Sequence, residues 1–197
     1  LASGTVSAVW VLLGRVGAQR TAHGVIESLQ TYPALNVLET TLRMDPGWPG
    51  HRPGQFAFAM SNPKEGPHPY TLASAWGPED RRSTSIAKAL GDHTRRRPER
   101  LQVGDRVTVE GPYGCFTFDD GRARQIWIGA GIGITPFIAR MKYLAQHKGR
   151  DARPVDLFHP TSDADPQAIE KLRADSQAAG VALHLRIDKQ NGRLTGE

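Results

Sequence analysis

Cysteine is almost absent from these 197 residues, with Cys115 standing alone. A single thiol excludes a disulfide inside the chain and any zinc or iron–sulfur site built on four cysteines. The seven histidines, His23, His51, His68, His93, His147, His159 and His184, are scattered. No two of them lie at the helical spacing that puts two ligands on one face, so we expect no metal site. Long apolar runs are missing too: residues 5–13 (TVSAVWVLL) fall far short of the roughly 20 that span a bilayer. They read either as the last turns of a longer span or as an ordinary terminal segment. Arg15 and Arg20 follow where the positive-inside rule places cations just cytoplasmic of such a span. Aromatic residues make up only 7% of the chain, and the arginine-rich stretch 95–100 has none. A basic barrel that binds RNA or DNA needs aromatics among its cations, so that rival is weak and no nucleic-acid partner is expected.

What is present suffices for a real core. With 39% hydrophobic residues, a chain of this length accommodates one large or two small domains, and the pattern along it favours two. The net charge of +5 and the pI near 9.7 favour an anionic partner such as a nucleotide phosphate, a nucleic acid or an acidic membrane leaflet. The chain opens on Leu1 and stops at Glu197, and we read both ends as cut.

From residue 23 to residue 110, short β-prone runs alternate with turns rich in proline and glycine, such as DPGWPG (45–50) and NPKEGPHP (62–69). This predicts an antiparallel barrel of six strands near 23–30, 36–44, 55–60, 68–74, 83–90 and 106–110. After Gly114 the texture changes. A buried strand is expected over 125–131, a helix over 135–148, a strand over 154–158, a helix over 165–180 and a strand over 181–187. Such alternation means a parallel sheet covered by helices. Three strands are few for a doubly wound domain, so we expect it to be incomplete at its C-terminal side.

Three runs carry candidate chemistry. GAGIGITP (129–136) lies between a strand and a helix, where missing side chains let a pyrophosphate approach the backbone and the helix N-terminus. It lacks the GxGxxG spacing, and tight packing alone also explains such a turn. HPYTLAS (68–74) alternates so that His68 and Tyr70 share one face and Thr71 takes the other, which core and surface alone also produce. SIAKALGDHT (85–94) gathers Lys88, Gly91 and Thr94, enough donors for a diphosphate. Cys115, directly after GPYG, reads as a packing residue rather than a reactive thiol. Trp127 reads as core, Trp10 as an interface residue, and Trp48 and Trp76 flank turns without assignment. Arg81, Arg82, Arg95, Arg96, Arg97 and Arg100 read as a solvated face.

In order, PGQF (53–56), HPYTLAS, KALGDHT, EGPYG (110–114), GAGIGITP and VDLF (155–158) resemble the ferredoxin-NADP reductase superfamily and, within it, the ferric reductase and NADPH oxidase branch. The resemblance spans about residues 22–197. It implies a membrane-proximal remnant at 1–21, an FAD-binding barrel at 22–117 and an NAD(P)H-binding domain, C-terminally incomplete, at 118–197. The implied activity is an NAD(P)H-dependent FAD oxidoreductase that feeds a haem in an upstream transmembrane domain, with this fragment soluble at the cytoplasmic face of a membrane. Tyr70 would stack on the isoalloxazine and Thr71 would lie near the hydride-accepting N5, with His68 and Pro69 beside them. Ile86, Ala87, Lys88, Gly91 and Thr94 would hold FAD through the diphosphate and its surroundings. Gly131, Ile132, Gly133, Thr135, Thr161 and Ser162 would face the nicotinamide nucleotide.

The departures from the family pattern matter as well. NADPH users often place an arginine after the second parallel strand to grip the ribose 2′-phosphate. Here HPTSD (159–163) offers Thr161, Ser162 and Asp163 instead, so NADH and NADPH both stay open, as do the terminal acceptor and the oligomeric state. The family's late cysteine-containing segment is not in this sequence. The rival within the same fold is a soluble flavin or siderophore reductase with no membrane partner.

Overall fold

The structure, a computed structural model, describes residues 20–88, 101–149, 151 and 153–191. Six strands make the first half: β1 (Thr21–Tyr32), β2 (Val37–Met44), β3 (Phe56–Met60), β4 (His68–Thr71), β5 (Arg82–Lys88) and β6 (Arg106–Tyr113). Their order in the sheet is β4-β3-β6-β1-β2-β5, and every pairing is antiparallel. An isolated bridge between Leu72 and Ser85, with Ala73 N–H donating to Thr84 C=O at 2.7 Å, joins the two edges and closes the barrel. That closure shortens β4 relative to the expected 68–74, because the chain leaves β3 after Thr71 to meet β5. β1 is longer than expected and bends at a bulge between Ile26 and Ser28, which lets one strand pair with both β2 and β6.

Alternation places Ile26, Leu42, Met44, Ala57, Val107 and Val109 inside the barrel. Each wholly buried aliphatic side chain contributes about 1.5–3 kcal/mol. Trp48 is buried and packs near the ring of His51, which in turn lies 5.6 Å from that of Trp76. These contacts answer what the two tryptophans flanking turns are for.

The second half is a parallel sheet ordered β7-β8-β9, formed by β7 (Gln125–Ile128), β8 (Val155–Thr161) and β9 (Ala182–Ile187). Helix α1 (Thr135–Gln146) follows β7, α2 (Pro166–Ala179) follows β8, and the short α3 (Asp188–Asn191) follows β9. Asp165 caps α2 by accepting from Gln167 N–H and Ala168 N–H, and Gly180 ends it in the left-handed region, as helix ends prefer. Trp127, Leu157, Phe137, Met141, Leu144 and Leu172 form the core under both helices. The opposite face of the sheet presents Ile126, Ile128 and Phe158 to solvent.

The link between the halves is packed. Phe116 lies edge-on to Phe118 and Phe137, and a Cβ on Gly54 of the barrel would meet the Phe116 carbonyl oxygen at 2.5 Å. Farther away, Lys171 of α2 donates to both carboxylate oxygens of Glu39 on β2, at 2.6 and 2.8 Å. Cys115 departs from its expected packing role, for it is exposed, because this stretch is buried through Phe118 instead.

Candidate functional site

A cavity of about 300 Å³ opens where the barrel meets the carboxyl ends of the parallel strands, the place where open α/β sheets bind ligands. From the barrel come Val37 and Glu39 of β2 and Ile86 and Lys88 of β5; from the other half come Gly131, Ile132, His159, Thr161 and Ser162. Alternation on β5 sends Ile86 and Lys88 outward to this cavity, while Ser85 and Ala87 turn to a second cavity of about 310 Å³ at the barrel interior. Tyr70 lines that second cavity with Ala87. Among the expected residues, then, Ile86, Lys88, Gly131, Ile132, Thr161 and Ser162 meet in one place, and Tyr70 and Ala87 in another. His68, Pro69, Thr71, Gly133 and Thr135 line neither cavity. Gly91 and Thr94 lie outside the described residues, as do Trp10, Arg15 and four of the six arginines, Arg95, Arg96, Arg97 and Arg100.

The glycine turn is built by local rules. Gly129 continues the ladder through its N–H to Phe158 C=O at 3.0 Å. A Cβ there would press within 2.9 Å of Ile134 and Phe137, so only glycine lets the helix pack this close. Gly131 sits at φ +49, and a Cβ on either Gly131 or Gly133 would meet nothing within 4 Å. This open shelf at a strand end fits the close approach of a pyrophosphate. Thr135 corrects its expected role: its hydroxyl donates to Ile132 C=O at 2.7 Å and the residue is fully buried. It holds the turn and offers the nucleotide no free hydroxyl. Thr161 donates to the backbone oxygen of Asp163 at 2.9 Å, and the Asp163 carboxylate pairs with Lys189. That hydrogen bond and charge hold Asp163 below the usual carboxylate range.

Residues without an assigned role also meet here. His159 is buried, and its Nδ1 lies 2.6 Å from the Gly129 carbonyl oxygen. Burial disfavours its charged form and lowers its pKa, although the bond to Gly129 opposes this. Its signal was in the sequence, since Val155, Leu157 and His159 alternate on the buried face. Glu39, Lys142, Lys171 and Asp175 form a charged cluster on the cavity wall. Burial lowers the Lys142 pKa and raises that of Asp175. Burial also works against charged Lys171, but its bonds to Glu39 outweigh that and raise its pKa. Glu39 and Lys171 are 132 positions apart in the chain, and no local pattern links them.

No family model matches the chain. Its fold is that of the FAD/NAD-binding domain of nitric oxide dioxygenase from Vibrio cholerae, with a TM-score of 0.72 at 19% identity, covering 89% of this chain and 78% of that one. The reductase component of propane 2-monooxygenase from Mycolicibacterium smegmatis is 29% identical over 132 residues, which are 60% of this chain and 38% of the relative. NADPH oxidase 1 of mouse (Mus musculus) is 35% identical over 80 residues, 38% of this chain and 13% of that protein. In sequence and in fold the chain is similar to proteins of the ferredoxin-NADP reductase type. The match to the oxidase covers 80 residues and is one of several to reductase-type proteins. The chain spans well under half the length of the two curated relatives. Among its described residues no helix is long and apolar enough to cross a membrane.

Proposed function

We propose that this chain takes hydride from NADPH or NADH onto FAD and hands electrons on singly to a haem in an upstream transmembrane domain of ferric-reductase type. One observation carries the reading: Ile86 and Lys88 of the barrel share a cavity with Gly131, Ile132, Thr161 and Ser162 of the nucleotide half. FAD, when bound, supplies the conversion from a two-electron donor to one-electron steps, accepting a hydride and releasing two electrons and a proton. The residues of the chain bind and align. Lys88 offers an ammonium to the FAD diphosphate, with Gly91 and Thr94 assigned there by resemblance. Tyr70 offers the ring that stacks on the isoalloxazine, and Thr71 the hydroxyl beside N5, with His68, Pro69 and Ala87 around them. Gly131 and Gly133 leave the backbone bare for the nucleotide, and Ser162 keeps an exposed hydroxyl at the strand end. Hydride transfer requires donor and acceptor at about 3–3.5 Å, so the two halves must bring the flavin and nicotinamide rings together.

Titration of the purified chain with FAD and riboflavin, followed by absorbance, tests the barrel. Lys88→Ala should weaken FAD about tenfold and riboflavin little, because only FAD has the diphosphate. Tyr70→Ala should weaken both. Equal losses for the two ligands in Lys88→Ala would overturn the diphosphate assignment, and no flavin uptake by the unaltered chain would overturn the function.

The membrane acceptor is supported by the likeness to NADPH oxidase 1 and by the apolar 5–13 segment with Arg15 and Arg20 after it. A soluble reductase serving a separate acceptor is the second reading, favoured by the longer match to the propane 2-monooxygenase reductase component. The coding sequence upstream of Leu1 separates them. Several hydrophobic spans carrying paired histidines support the first, and a start codon close to Leu1 leaves the second.

A further inference from the structure

His159 is a buried histidine with one ring nitrogen committed and the other facing a cavity. Its Nδ1 lies 2.6 Å from the carbonyl oxygen of Gly129. A carbonyl only accepts, so Nδ1 carries the hydrogen and donates it. In the neutral ring this leaves Nε2 as a bare lone pair. Trp48 Nε1, His51 Nδ1 and Arg140 Nε are enclosed side-chain atoms without a hydrogen-bond partner among the described residues, and His159 Nε2 is not enclosed in this way. Since it has no hydrogen-bond partner among the described residues either, Nε2 opens on the cavity that His159 lines together with Gly131 and Thr161.

We propose that His159 is a positioning residue for the nicotinamide nucleotide: Nδ1–H pins the start of the glycine turn, and Nε2 accepts a hydrogen bond from an uncharged O–H or N–H of the bound nucleotide. The inference rests on the reading of this cavity as the nucleotide site. Two sources share that donor chemistry, a ribose hydroxyl and the carboxamide of the nicotinamide. A phosphate is excluded from the spot, because an anionic oxygen and an unprotonated lone pair repel each other. The phosphates are thereby directed away from His159, and the open shelf at Gly131 and Gly133 is the surface left to receive them. One ring thus sets both the shape of the turn and the direction in which the nucleotide lies across it.

The tautomer and the acceptor are tested separately. In the FAD-loaded chain, His159→Asn keeps an amide N–H near the Nδ1 position but has nothing at Nε2. It should raise the Kd for NADPH or NADH about five- to tenfold, the scale of one hydrogen bond, while the Kd for FAD stays unchanged. His159→Gln places an amide oxygen near Nε2 and should restore part of that loss. Repeating the comparison with ADP-ribose assigns the donor: the loss persists if the donor is on the ADP-ribose portion and vanishes if it is the carboxamide. Nitrogen NMR on histidine-labelled protein reads the ring directly, whatever the variants do to folding. The neutral Nδ1–H tautomer is expected, with the Nε2 signal shifting when nucleotide is added. An Nε2–H tautomer, an unmoved Nε2 signal, or wild-type affinity in His159→Asn overturns the inference alone. Failure of the unaltered FAD-loaded chain to bind either nucleotide overturns the site reading, and the inference falls with it.

Discussion

His51 shows how a single buried side chain sets a pH limit on the barrel. Its Nε2 lies 3.1 Å from Ser74 C=O and 3.0 Å from Ser74 Oγ, and its Nδ1 is enclosed without a partner. Burial lowers its pKa to about 4. The unfolded chain binds a proton below about 6.5, the folded barrel only near about 4, so stability is intact above the first value and lost as pH falls toward the second. The expected loss over that window is about 3 kcal/mol, and His51→Gln should flatten it in urea titrations at pH 7 and pH 4.5. Equal slopes for both proteins would remove His51 as the cause. At Gly131 the consequence is functional. Asparagine tolerates φ near +49, and its side chain meets no protein atom at Cβ. Gly131→Asn should therefore fold and bind FAD normally while slowing flavin reduction by NAD(P)H at least tenfold in stopped-flow mixing. A normal rate would show that the turn is not the nucleotide site.

At the level of elements, the loop before β8 is tied to helix α1 and to the link between halves by one acid. Asp151 accepts from Arg140 at 2.6 Å and from Arg153 at 2.7 Å, and Arg153 reaches on to Asp120 at 2.8 Å and to Phe118 C=O at 3.1 Å. These hydrogen bonds, Arg153 first, hold the Asp151 carboxyl down to about 2. Its contribution is present above the ordinary carboxylate pKa and is lost only as pH falls toward 2. Asp151→Asn leaves the largely buried Arg140 without its charge partner and should destabilise the nucleotide half by about 2 kcal/mol, read as a lower melting temperature at pH 7. An unchanged melting temperature would mean that Arg140 is sufficiently held by the faces of Phe118 and Tyr143, over which it also lies.

For the whole molecule, the two halves are held by the packed link at Phe116 and Phe118 and by the Glu39–Lys171 pair. Tyr32 adds its hydroxyl to Glu39 at 3.3 Å, so the barrel side of the pair is itself anchored. Lys171→Ala should leave both cores intact and loosen their docking. Limited proteolysis should then cut the 114–124 stretch several times faster, with little change in melting temperature. Cleavage at the wild-type rate would place the docking entirely in the aromatic link.

Much of this was legible beforehand because it is local. The order of six strands followed by alternating strands and helices came from residue periodicity and turn chemistry, and the family resemblance from motifs in sequence. Lys88, Gly131, Thr161 and Ser162 line one cavity. Other features depend on contacts that no short pattern encodes. Thr135 looked like a ligand and is instead bound to Ile132, while Cys115 looked packed and is exposed. Ala87 and Lys88, both expected at the flavin, line different cavities because alternate residues of β5 face opposite sides of the barrel wall, and Tyr70 of β4 lines the cavity that Ala87 lines. Periodicity by itself determined which elements form and in what order. Only the tertiary structure decided which residues share a wall, since Gly54 with Phe116 and Glu39 with Lys171 meet through the docking of the second half on the barrel, and Gly129 with His159 through the pairing of β7 with β8, across separations at which the chain has no local preference.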